Sequence, residues 1–308
     1  MKILVTGASG LLGSNFLLSQ HACHELLGVY HASPLSSSLC RVSRCDLTSK
    51  ADVERLIAAE RPDCIVNCAA LANIDACEKD PQLASALNTE LPARLALLSA
   101  RKGIKFVQVS TDAVFNGVSG GYTETDLPVP INVYGSTKLE GERRVLEISP
   151  DAIVARVNFF GWSLSGKRSL AEWFYNNLIA GHHISGYDDI YFCPLLANTL
   201  CDVLVSMVGK GARGLFHVVG SEAVSKYDFG VRLAVRFGLN EKLIARAKFT
   251  STADVAARGG RMELSVAKLK SELGIELPGV DDSLTAFYGL FRGGYPAKMR
   301  AALALREA

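Results

Sequence analysis

Three features that would each indicate a particular class of protein are missing from this 308-residue sequence. It has no long run of lysine and arginine and a formal net charge of only +2, so no nucleic-acid-binding surface is indicated. No apolar run approaches the length of a membrane span, and a strand-like segment starts at residue 2, which leaves no room for a signal peptide. We therefore expect a cytoplasmic protein that binds neither nucleic acid nor membrane.

The usual cysteine pattern of a structural metal site is missing as well. The eight cysteines include no Cys-x-x-Cys pair, and most stand among apolar residues, as in DCIVNCAA at residues 63–70. We expect free thiols that pack as small hydrophobic side chains, and no metal. Nearly half of the residues are hydrophobic and there is no low-complexity tract, so the chain can build a sizeable core.

The N-terminal half alternates strand-like and helix-like segments. KILVT, ELLGVYH, DCIVNCAA and KFVQVS have strand patterns, while LLGSNFLLSQ, SKADVERLIAAE and residues 81–103 have helical patterns, with Pro92 as an expected kink. Strict alternation predicts right-handed βαβ units and a parallel sheet covered on both faces. The predicted fold class is therefore α/β, a Rossmann-type doubly wound parallel sheet.

The alternation weakens in the C-terminal half. We expect residues 1–160 to form the dinucleotide-binding domain, with residues 187–219 returning to it. Residues 161–186 and 220–308, which contain amphipathic helices, are expected to form a smaller C-terminal substrate lobe. The final stretch, YPAKMRAALALREA, is expected to be a helix docked on its own subunit, with packing on a partner chain as the alternative.

A glycine-rich turn, TGASGLLGS, joins the first strand to the first helix. Three glycines alone are weak support, because they also relieve steric strain in an ordinary tight turn. Here they follow a strand directly and open a helix, which is the context that dinucleotide binding requires. The helix N-terminus offers unpaired N–H groups to a pyrophosphate. The candidate cofactor residues of this turn are Gly7, Ser9, Gly10, Leu11, Leu12 and Gly13.

The stretch NVYGSTKLEGE places Tyr134 and Lys138 four residues apart at the start of a predicted helix. Residues at this interval lie on one helix face about a turn apart, so both side chains can reach the same reacting molecule. The same pair also arises often by chance on a solvated helix face. Its interpretation therefore depends on the rest of the chain.

Taken together, the Gly-x-x-Gly-x-x-Gly turn and the Tyr-x-x-x-Lys pair resemble the short-chain dehydrogenase/reductase superfamily. The stretches STDAVFNG, ETDLPVPINVYGSTKLEGE, CAALANIDACEKDP and NTELPARLA narrow the resemblance to its extended branch, specifically the dTDP-4-dehydrorhamnose reductase family. The resemblance covers most of residues 1–275. The regulatory β-subunit of methionine adenosyltransferase shares many of these motifs and supplies a serious alternative.

The resemblance implies an NADPH- or NADH-dependent reduction of a 4-keto sugar that is attached to a nucleoside diphosphate. Tyr134 would donate a proton to the developing alkoxide. Lys138 would lower the pKa of that phenol and bind the nicotinamide ribose. Thr111 would hydrogen-bond the substrate oxygen; the less favoured alternative is that its hydroxyl only closes a turn after the strand.

At the adenosine half of the cofactor, the resemblance implies a contact with Asp46, which as an alternative caps the following turn. The stretch GVYHASP carries no Asp or Glu to hold a free ribose hydroxyl, whereas His31, Ser33, Arg41 and Arg44 can meet a 2′-phosphate. We therefore expect NADP, with NAD as the alternative. The resemblance adds the cofactor-binding residues Leu47, Cys68, Ala69, Ala70, Asn88 and Ser110.

The stretch ARVNFFGW resembles the family segment that leads into the sugar-nucleotide lobe. By resemblance, Asn158 contacts the diphosphate, and Phe159 or Trp162 stacks on the ligand, although aromatic residues at such a junction often belong to the core. Two positions depart from the family pattern, with Ala113 in place of tyrosine and a phenylalanine in place of tryptophan. Both changes put the identity of the hexose in doubt.

Three functional classes remain open. They are a ketoreductase, an epimerase or dehydratase with tightly held NAD, and a non-catalytic NADP-binding regulatory subunit. The intact set of Thr111, Tyr134 and Lys138 favours the reductase. A dehydratase's Asp-Glu pair is missing, because Asp112 is followed by Ala113. The expected partner is a nucleotide sugar, and a homodimer is compatible with the sequence.

Overall fold

The computed structural model describes residues 1–31, 33–250 and 256–305. Within them the strands, in chain order, are β1 (Lys2–Thr6), β2 (Glu25–Tyr30), β3 (Leu35–Ser37), β4 (Arg41–Arg44), β5 (Cys64–Asn67), β6 (Lys105–Thr111), β7 (Ile153–Val157), β8 (Phe159–Phe160), β9 (Ile184–Tyr187), β10 (Tyr191–Phe192), β11 (Leu195–Leu196), β12 (Gly214–Val218), β13 (Val224–Ser225), β14 (Ile244–Ala247), β15 (Arg261–Met262) and β16 (Leu303–Leu305).

The α-helices are α1 (Leu11–Gln20), α2 (Lys50–Glu60), α3 (Ile74–Lys79), α4 (Pro81–Ser85), α5 (Leu91–Lys102), α6 (Val133–Ile148), α7 (Leu170–Ile179), α8 (Ala197–Gly209), α9 (Lys226–Phe237), α10 (Ala267–Leu273), α11 (Val280–Arg292) and α12 (Tyr295–Ala302). A π-helical turn covers Ala86–Glu90, and two 3₁₀ turns cover Asp112–Val114 and Glu241–Leu243.

Seven parallel strands form the main sheet in the order β12-β7-β6-β5-β1-β2-β4. From β1 the chain builds outward to β2 and β4, and then returns to add β5, β6, β7 and β12 on the other side. The strand order therefore reverses between β1 and β5, which is where open α/β sheets bind ligands at the carboxyl ends of their strands. The predicted Rossmann-type fold class is confirmed.

Hydrophobic clusters cover both faces of this sheet. On one face α1 and α8 pack together, with Phe16 and Leu200 fully buried. On the other face α2, α5 and α6 contribute a second cluster that includes Ile57 and Leu95. Two covered faces explain why the strands read as nearly continuous apolar runs, as in Cys64–Asn67.

Residues 81–103 do not form the single kinked helix that we expected. Helix α4 gives way to the π-helical turn Ala86–Glu90, and α5 starts directly after it. Pro92 lies in the first turn of α5, where a missing N–H leaves no hydrogen bond unmade. The break in the regular helix is therefore the π-helical turn before Pro92, and Asn88 lies within this turn.

A third hydrophobic cluster lies in the C-terminal part of the chain. Helices α7, α9 and α11 surround it, and Phe174, Phe229 and Phe287 are almost fully buried there. Short two- and three-stranded sheets accompany these helices. The domain boundaries at residues 160, 187 and 220 stay a prediction.

The C-terminal tail docks on its own subunit. Helix α12 packs on α1, and β16 pairs antiparallel with β3. No described helix is long and apolar enough to cross a membrane. All eight cysteines are free thiols; Cys23 is exposed, contrary to the expectation of buried thiols, whereas five others are buried.

Candidate active site

The glycine turn brings two backbone segments into contact at the reversal point of the sheet. Gly7 adopts the left-handed conformation with φ of +64°, and a Cβ placed on it would lie 2.8 Å from the Ala69 nitrogen. A Cβ on Gly13 would lie 2.3 Å from the Gly7 carbonyl oxygen. Gly7 and Gly13 are therefore required by backbone packing. At Gly10 a Cβ would meet only the Gly7 oxygen, at 3.0 Å, so packing alone does not require glycine there.

The first turn of α1 is open to an anionic ligand. Gly10 is its N-cap, and no side chain caps the helix. The first N–H groups are thus left for an anion, which the helix dipole also attracts. Ser9 and Leu11 are half-buried, while Leu12 is buried in the core, so that only its main chain is accessible to a ligand.

Helix α6 presents Tyr134 in its first turn and Lys138 one turn later. The Asn132 side chain caps this helix by accepting a hydrogen bond from the Gly135 N–H at 2.8 Å. A Cβ on Gly135 would lie 2.2 Å from the Ala113 carbonyl oxygen, so a glycine is needed for the helix to approach the end of β6. Lys138 is 4 % exposed, and its Nζ donates to the Val109 carbonyl oxygen at 2.6 Å.

Burial favours the neutral form of both side chains and shifts both pKa values in that direction. The pKa of Tyr134 is raised to about 12 by burial, with a further rise from Asp112 and an opposing hydrogen bond from Thr111. The pKa of Lys138 is lowered to about 8 by burial, against the attraction of Glu142. We expected Lys138 to lower the pKa of Tyr134, but in this structure burial raises that pKa instead, and the Lys138 ammonium is bound to the Val109 carbonyl oxygen. The phenol accordingly holds its proton at neutral pH.

A row of buried polar side chains crosses three strands and ends at the same carbonyl. The Thr6 hydroxyl donates to Asn67 Oδ1 at 2.5 Å, and Asn67 Nδ2 donates to Gln108 Oε1 at 2.7 Å. Gln108 Nε2 then donates to the Val109 carbonyl oxygen at 2.8 Å. Because Lys138 binds this oxygen too, the row links the base of the glycine turn to the lysine. Sequence reasoning missed it, since nothing local marks polar residues on three strands as neighbours.

A buried ion pair holds α6 against β6 and β7. Glu142 lies one turn beyond Lys138 and accepts bonds from both Nε and Nη2 of Arg156, at 3.1 and 2.8 Å. The Ser110 hydroxyl donates to the same carboxylate at 2.5 Å. Ser110, an expected cofactor contact, therefore has its side chain committed to Glu142.

Thr111 ends β6 beside the phenol of Tyr134. Its hydroxyl accepts a hydrogen bond from the Ala113 N–H and donates to Asp112 Oδ1, both at 3.1 Å. The turn-closing alternative for Thr111 is thus present in the structure. Asp112 is buried with a raised pKa, because burial outweighs the hydrogen bonds from Asn158 and Thr111.

Asn88, an expected cofactor contact, is almost completely buried and does not face solvent. Its Oδ1 accepts from the Leu71 N–H at 3.0 Å, and its Nδ2 donates to Thr137 Oγ1 at 3.2 Å. It therefore joins the segment after β5 to α6. Cys68, Ala69 and Ala70, at the start of that segment, are half-buried at the carboxyl end of β5.

A cavity of about 260 Å³ opens next to Asp112, the residue that follows Thr111. Its walls include Asn158 and Phe159 together with Ala113, so both departures from the family pattern line it. Lys226 and Arg258 add two cations to the cavity wall, and we did not anticipate either of them. Lys226 is the first residue of the amphipathic helix α9, and its sequence pattern indicates only that helix.

Trp162 does not line this cavity. Its ring stacks on Phe287 with centroids 4.3 Å apart, and its Nε1 donates to the Phe287 carbonyl oxygen. Trp162 thus occupies the third hydrophobic cluster, the core alternative for this residue. Leu47 is likewise buried in the core, on the α2 side of the sheet.

The edge of the sheet where β2 and β4 end, at which we expect the adenosine, carries a mixed set of charges. His31 Nε2 lies 3.8 Å from Asp46 Oδ1. The Asp46 carboxylate closes a turn by accepting hydrogen bonds from Thr48, and these bonds are the main reason why the pKa of Asp46 is lowered. Arg44 ends β4 on this edge and is exposed. Arg41 begins the same strand at the opposite edge and pairs with Glu60 at 2.7 Å, so it was wrongly expected near a 2′-phosphate.

Among the described residues, no group of three or more His, Cys, Asp or Glu side chains is placed to hold a metal ion.

Comparison with known proteins decides the family. The model of one family, described as the RmlD substrate binding domain, matches residues 1–292. The chain belongs to this family. The matched part of this RmlD-family chain ends with α11 and leaves α12 and β16 outside.

Two curated relatives span most of this RmlD-family chain. The probable low-salt glycan biosynthesis reductase Agl14 of Haloferax volcanii is 32% identical over 94% of the chain and 98% of the relative. The methionine adenosyltransferase 2 subunit beta of Rattus norvegicus is 30% identical over 93% of the chain and 88% of the relative. A solved structure of a hypothetical dTDP-4-dehydrorhamnose reductase from Sulfolobus tokodaii has a TM-score of 0.80 at 27% identity, covering 90% of this chain and 97% of its own.

The glycine turn yields a first prediction. Gly10→Ala should weaken dinucleotide binding about tenfold, equivalent to ~1.4 kcal/mol, because its methyl group occupies space that packing leaves to a phosphate. Binding is measured by fluorescence titration, with Gly209→Ala at the open end of α8 as the matched control. Unchanged affinity in folded Gly10→Ala protein would remove the pyrophosphate from this turn.

The lowered pKa of Lys138 yields a second prediction. Between pH 8 and 10.5 the folded lysine has released its proton while the unfolded one keeps it, so stability should rise with pH across this window. The stability of the wild type relative to Lys138→Met should increase by roughly 2 kcal/mol from pH 7.5 to 10, as measured by urea unfolding. Exposed Lys167→Met is the control, and a pH-independent difference would contradict burial of the charge.

Proposed function

We propose that this protein is an NADPH-dependent reductase of a nucleotide-activated 4-keto sugar, similar to dTDP-4-dehydrorhamnose reductase. One observation carries the proposal: Tyr134 lies beside Thr111 at the carboxyl end of β6, and Lys138 is buried one helical turn further along α6, against the Val109 carbonyl oxygen. The names of relatives and of similar solved structures, including a glycan biosynthesis reductase and a dTDP-4-dehydrorhamnose reductase, support the same reaction class.

The side chains divide the reaction between them. NADPH, when bound, supplies the hydride. Tyr134 donates its proton to the carbonyl oxygen as negative charge develops there, and its raised pKa keeps that proton in place beforehand. The Thr111 hydroxyl orients the same oxygen, and Lys138 binds the nicotinamide ribose through Nζ protons that the Val109 carbonyl leaves free. A lysine with a pKa of about 8 is still charged at neutral pH.

The adenosine edge supports NADPH over NADH. No carboxylate follows β2 to bind a free 2′-hydroxyl, and the Asp46 carboxylate is already engaged with Thr48. Arg44 and His31 provide donors for a phosphate there. We place the enzyme in the cytoplasm, where soluble sugar nucleotides and NADPH are both found, and we keep the homodimer as a prediction.

The cavity supports a sugar in contact with Asn158 and Phe159. Ala113 leaves room where the family pattern has a tyrosine, so the enzyme should accept a hexose with a different or larger substituent than the family's usual substrate. The apolar wall formed by Phe159, Phe160 and Phe192 suits the nonpolar face of a deoxysugar.

A regulatory subunit is the second candidate function. The observation that favours it is the extended similarity to a methionine adenosyltransferase 2 subunit beta. Such a protein would bind the dinucleotide at the same glycine turn without turning over a sugar. Retention of the full Thr111, Tyr134 and Lys138 set places the reductase first.

Turnover separates the two candidates and tests Tyr134. NADPH oxidation is followed against a panel of nucleotide-linked 4-keto sugars. Tyr134→Phe should lower kcat by about 10²–10⁴-fold with little change in NADPH affinity, because only the proton donor is removed. Tyr288→Phe, on α11, is the matched control.

A deuteride isotope effect must first show that hydride transfer limits the rate. A Tyr134→Phe enzyme that then works at the wild-type rate would refute general-acid catalysis by this residue. A wild-type protein that binds NADPH but oxidises it with none of the sugars would place the regulatory candidate first.

Two arginines on β4 test the choice of cofactor. Arg44→Met should weaken NADPH binding about tenfold and leave NADH binding nearly unchanged, because it removes a cation near the expected 2′-phosphate. Arg41→Met, three residues away at the other edge, should change neither affinity. The NADPH preference should also shrink as salt rises. Equal effects of both substitutions on NADPH would rule out the assignment of Arg44.

A further inference from the structure

The connection between β2 and β4 is unusual for a parallel crossover. Residues 31–40 lead from the carboxyl end of β2 back to the start of the neighbouring parallel strand β4. Such crossovers are usually helical, yet the described part of this one contains only the short strand β3 and no helix. The apolar side of β2 and β4 therefore needs cover from elsewhere in the chain.

The C-terminal tail provides that cover. We call α12 and β16 together the C-terminal strap. Met299 and Leu303 of the strap are fully buried, in the same cluster as Leu26 of β2 and Leu35 of β3. The strap follows the part of the chain that the family model matches, so the crossover is completed by a segment outside it.

Hydrogen bonds fix the β16 end of the strap to the crossover. β16 pairs antiparallel with β3, with Leu303 opposite Ser37 and Leu305 opposite Leu35. The Ser38 N–H donates to the Ala302 carbonyl oxygen at 3.0 Å, and the Ser36 hydroxyl donates to the Ala304 carbonyl oxygen at 3.3 Å. The crossover thus gains main-chain partners that its own sequence does not supply.

The strap also contacts the helix that follows the glycine turn. The Tyr295 hydroxyl donates to Asn15 Oδ1 on α1 at 2.9 Å and accepts from Asn198 Nδ2 on α8 at 2.8 Å. Asn15 Nδ2 in turn donates to the Leu11 carbonyl oxygen at 2.7 Å, in the first turn of α1. A single segment therefore braces α1 and the crossover, the two elements on either side of the expected adenosine site.

We propose that the C-terminal strap positions the adenosine half of the cofactor. By holding residues 33–40 in place, it sets the positions of His31, directly after β2, and of Arg44, at the end of β4. The inference rests on the proposed function, because it takes NADPH to be the ligand of this edge. Its consequence is that damage to the strap lowers cofactor affinity although no strap residue touches the cofactor.

The test uses 2′,5′-ADP, which carries the adenosine 2′-phosphate but neither the nicotinamide nor any part of the sugar substrate. Leu303→Asp puts a charge into the buried contact and should weaken 2′,5′-ADP binding about tenfold, within the usual range for coupled sites. Leu97→Asp on α5, an exposed position across the sheet, controls for the added charge.

Tyr295→Phe provides a second variant that keeps the ring and removes only the hydroxyl. It should weaken 2′,5′-ADP binding about fivefold, consistent with one or two lost hydrogen bonds. Both strap variants should raise KM for NADPH without changing kcat for the keto sugar, a split that simple destabilisation of the enzyme would not produce.

Calorimetry on folded protein decides the outcome. If Leu303→Asp does not fold, Tyr295→Phe alone carries the test. Wild-type affinity for 2′,5′-ADP in the folded strap variants would overturn the positioning role and leave the proposed reductase intact. A wild-type protein that binds neither 2′,5′-ADP nor NADPH would instead overturn the proposed function and this inference together.

Discussion

The buried ammonium of Lys138 is the group around which the rest of the site is arranged. A charge in an apolar interior is tolerated only with polar partners, and here the Val109 carbonyl oxygen supplies one at 2.6 Å. Reaching that oxygen requires α6 to lie close to β6, which Gly135 permits, since a Cβ there would lie 2.2 Å from the carbonyl oxygen of Ala113, just after β6. Gly141 in the same way lets α6 approach the π-helical turn, at the Asn88 carbonyl oxygen. The approach to β6 also brings Tyr134 to Thr111. The packing of α6, the burial of Lys138 and the position of Tyr134 therefore depend on the same close approach.

Much of the fold and part of the site could be predicted from sequence because their signals are local. Strand, turn and helix are contiguous at Gly7–Gly13, and the i, i+4 interval alone places Tyr134 and Lys138 on one face of α6. The cap of α2 is equally local, because the Ser49 hydroxyl accepts from the Asp52 N–H three residues later. In each case, the residues that define the feature lie within about two helical turns of one another.

What could not be predicted depends on contacts between distant segments. Asn67 and Gln108 meet only because β5 and β6 pair in a particular register. Trp162 faces Phe287, 125 residues away, and an aromatic residue at that position reads equally well as a ligand platform. The direction of the pKa shift of Tyr134 was also beyond the sequence, because it depends on how deeply the phenol is buried and on which way the neighbouring ammonium turns.

The buried pair of Glu142 and Arg156 limits how this protein can recombine with its relatives. Both side chains are only 3 % exposed, and a buried charge without its partner typically costs ~3–5 kcal/mol. A chimera whose junction falls between these two positions would inherit one member from each parent, and it would fold only if the other parent carries the matching charge. Residues 142–156 therefore form a block that must be exchanged as a unit, even though the loop between α6 and β7 is an obvious place to cut.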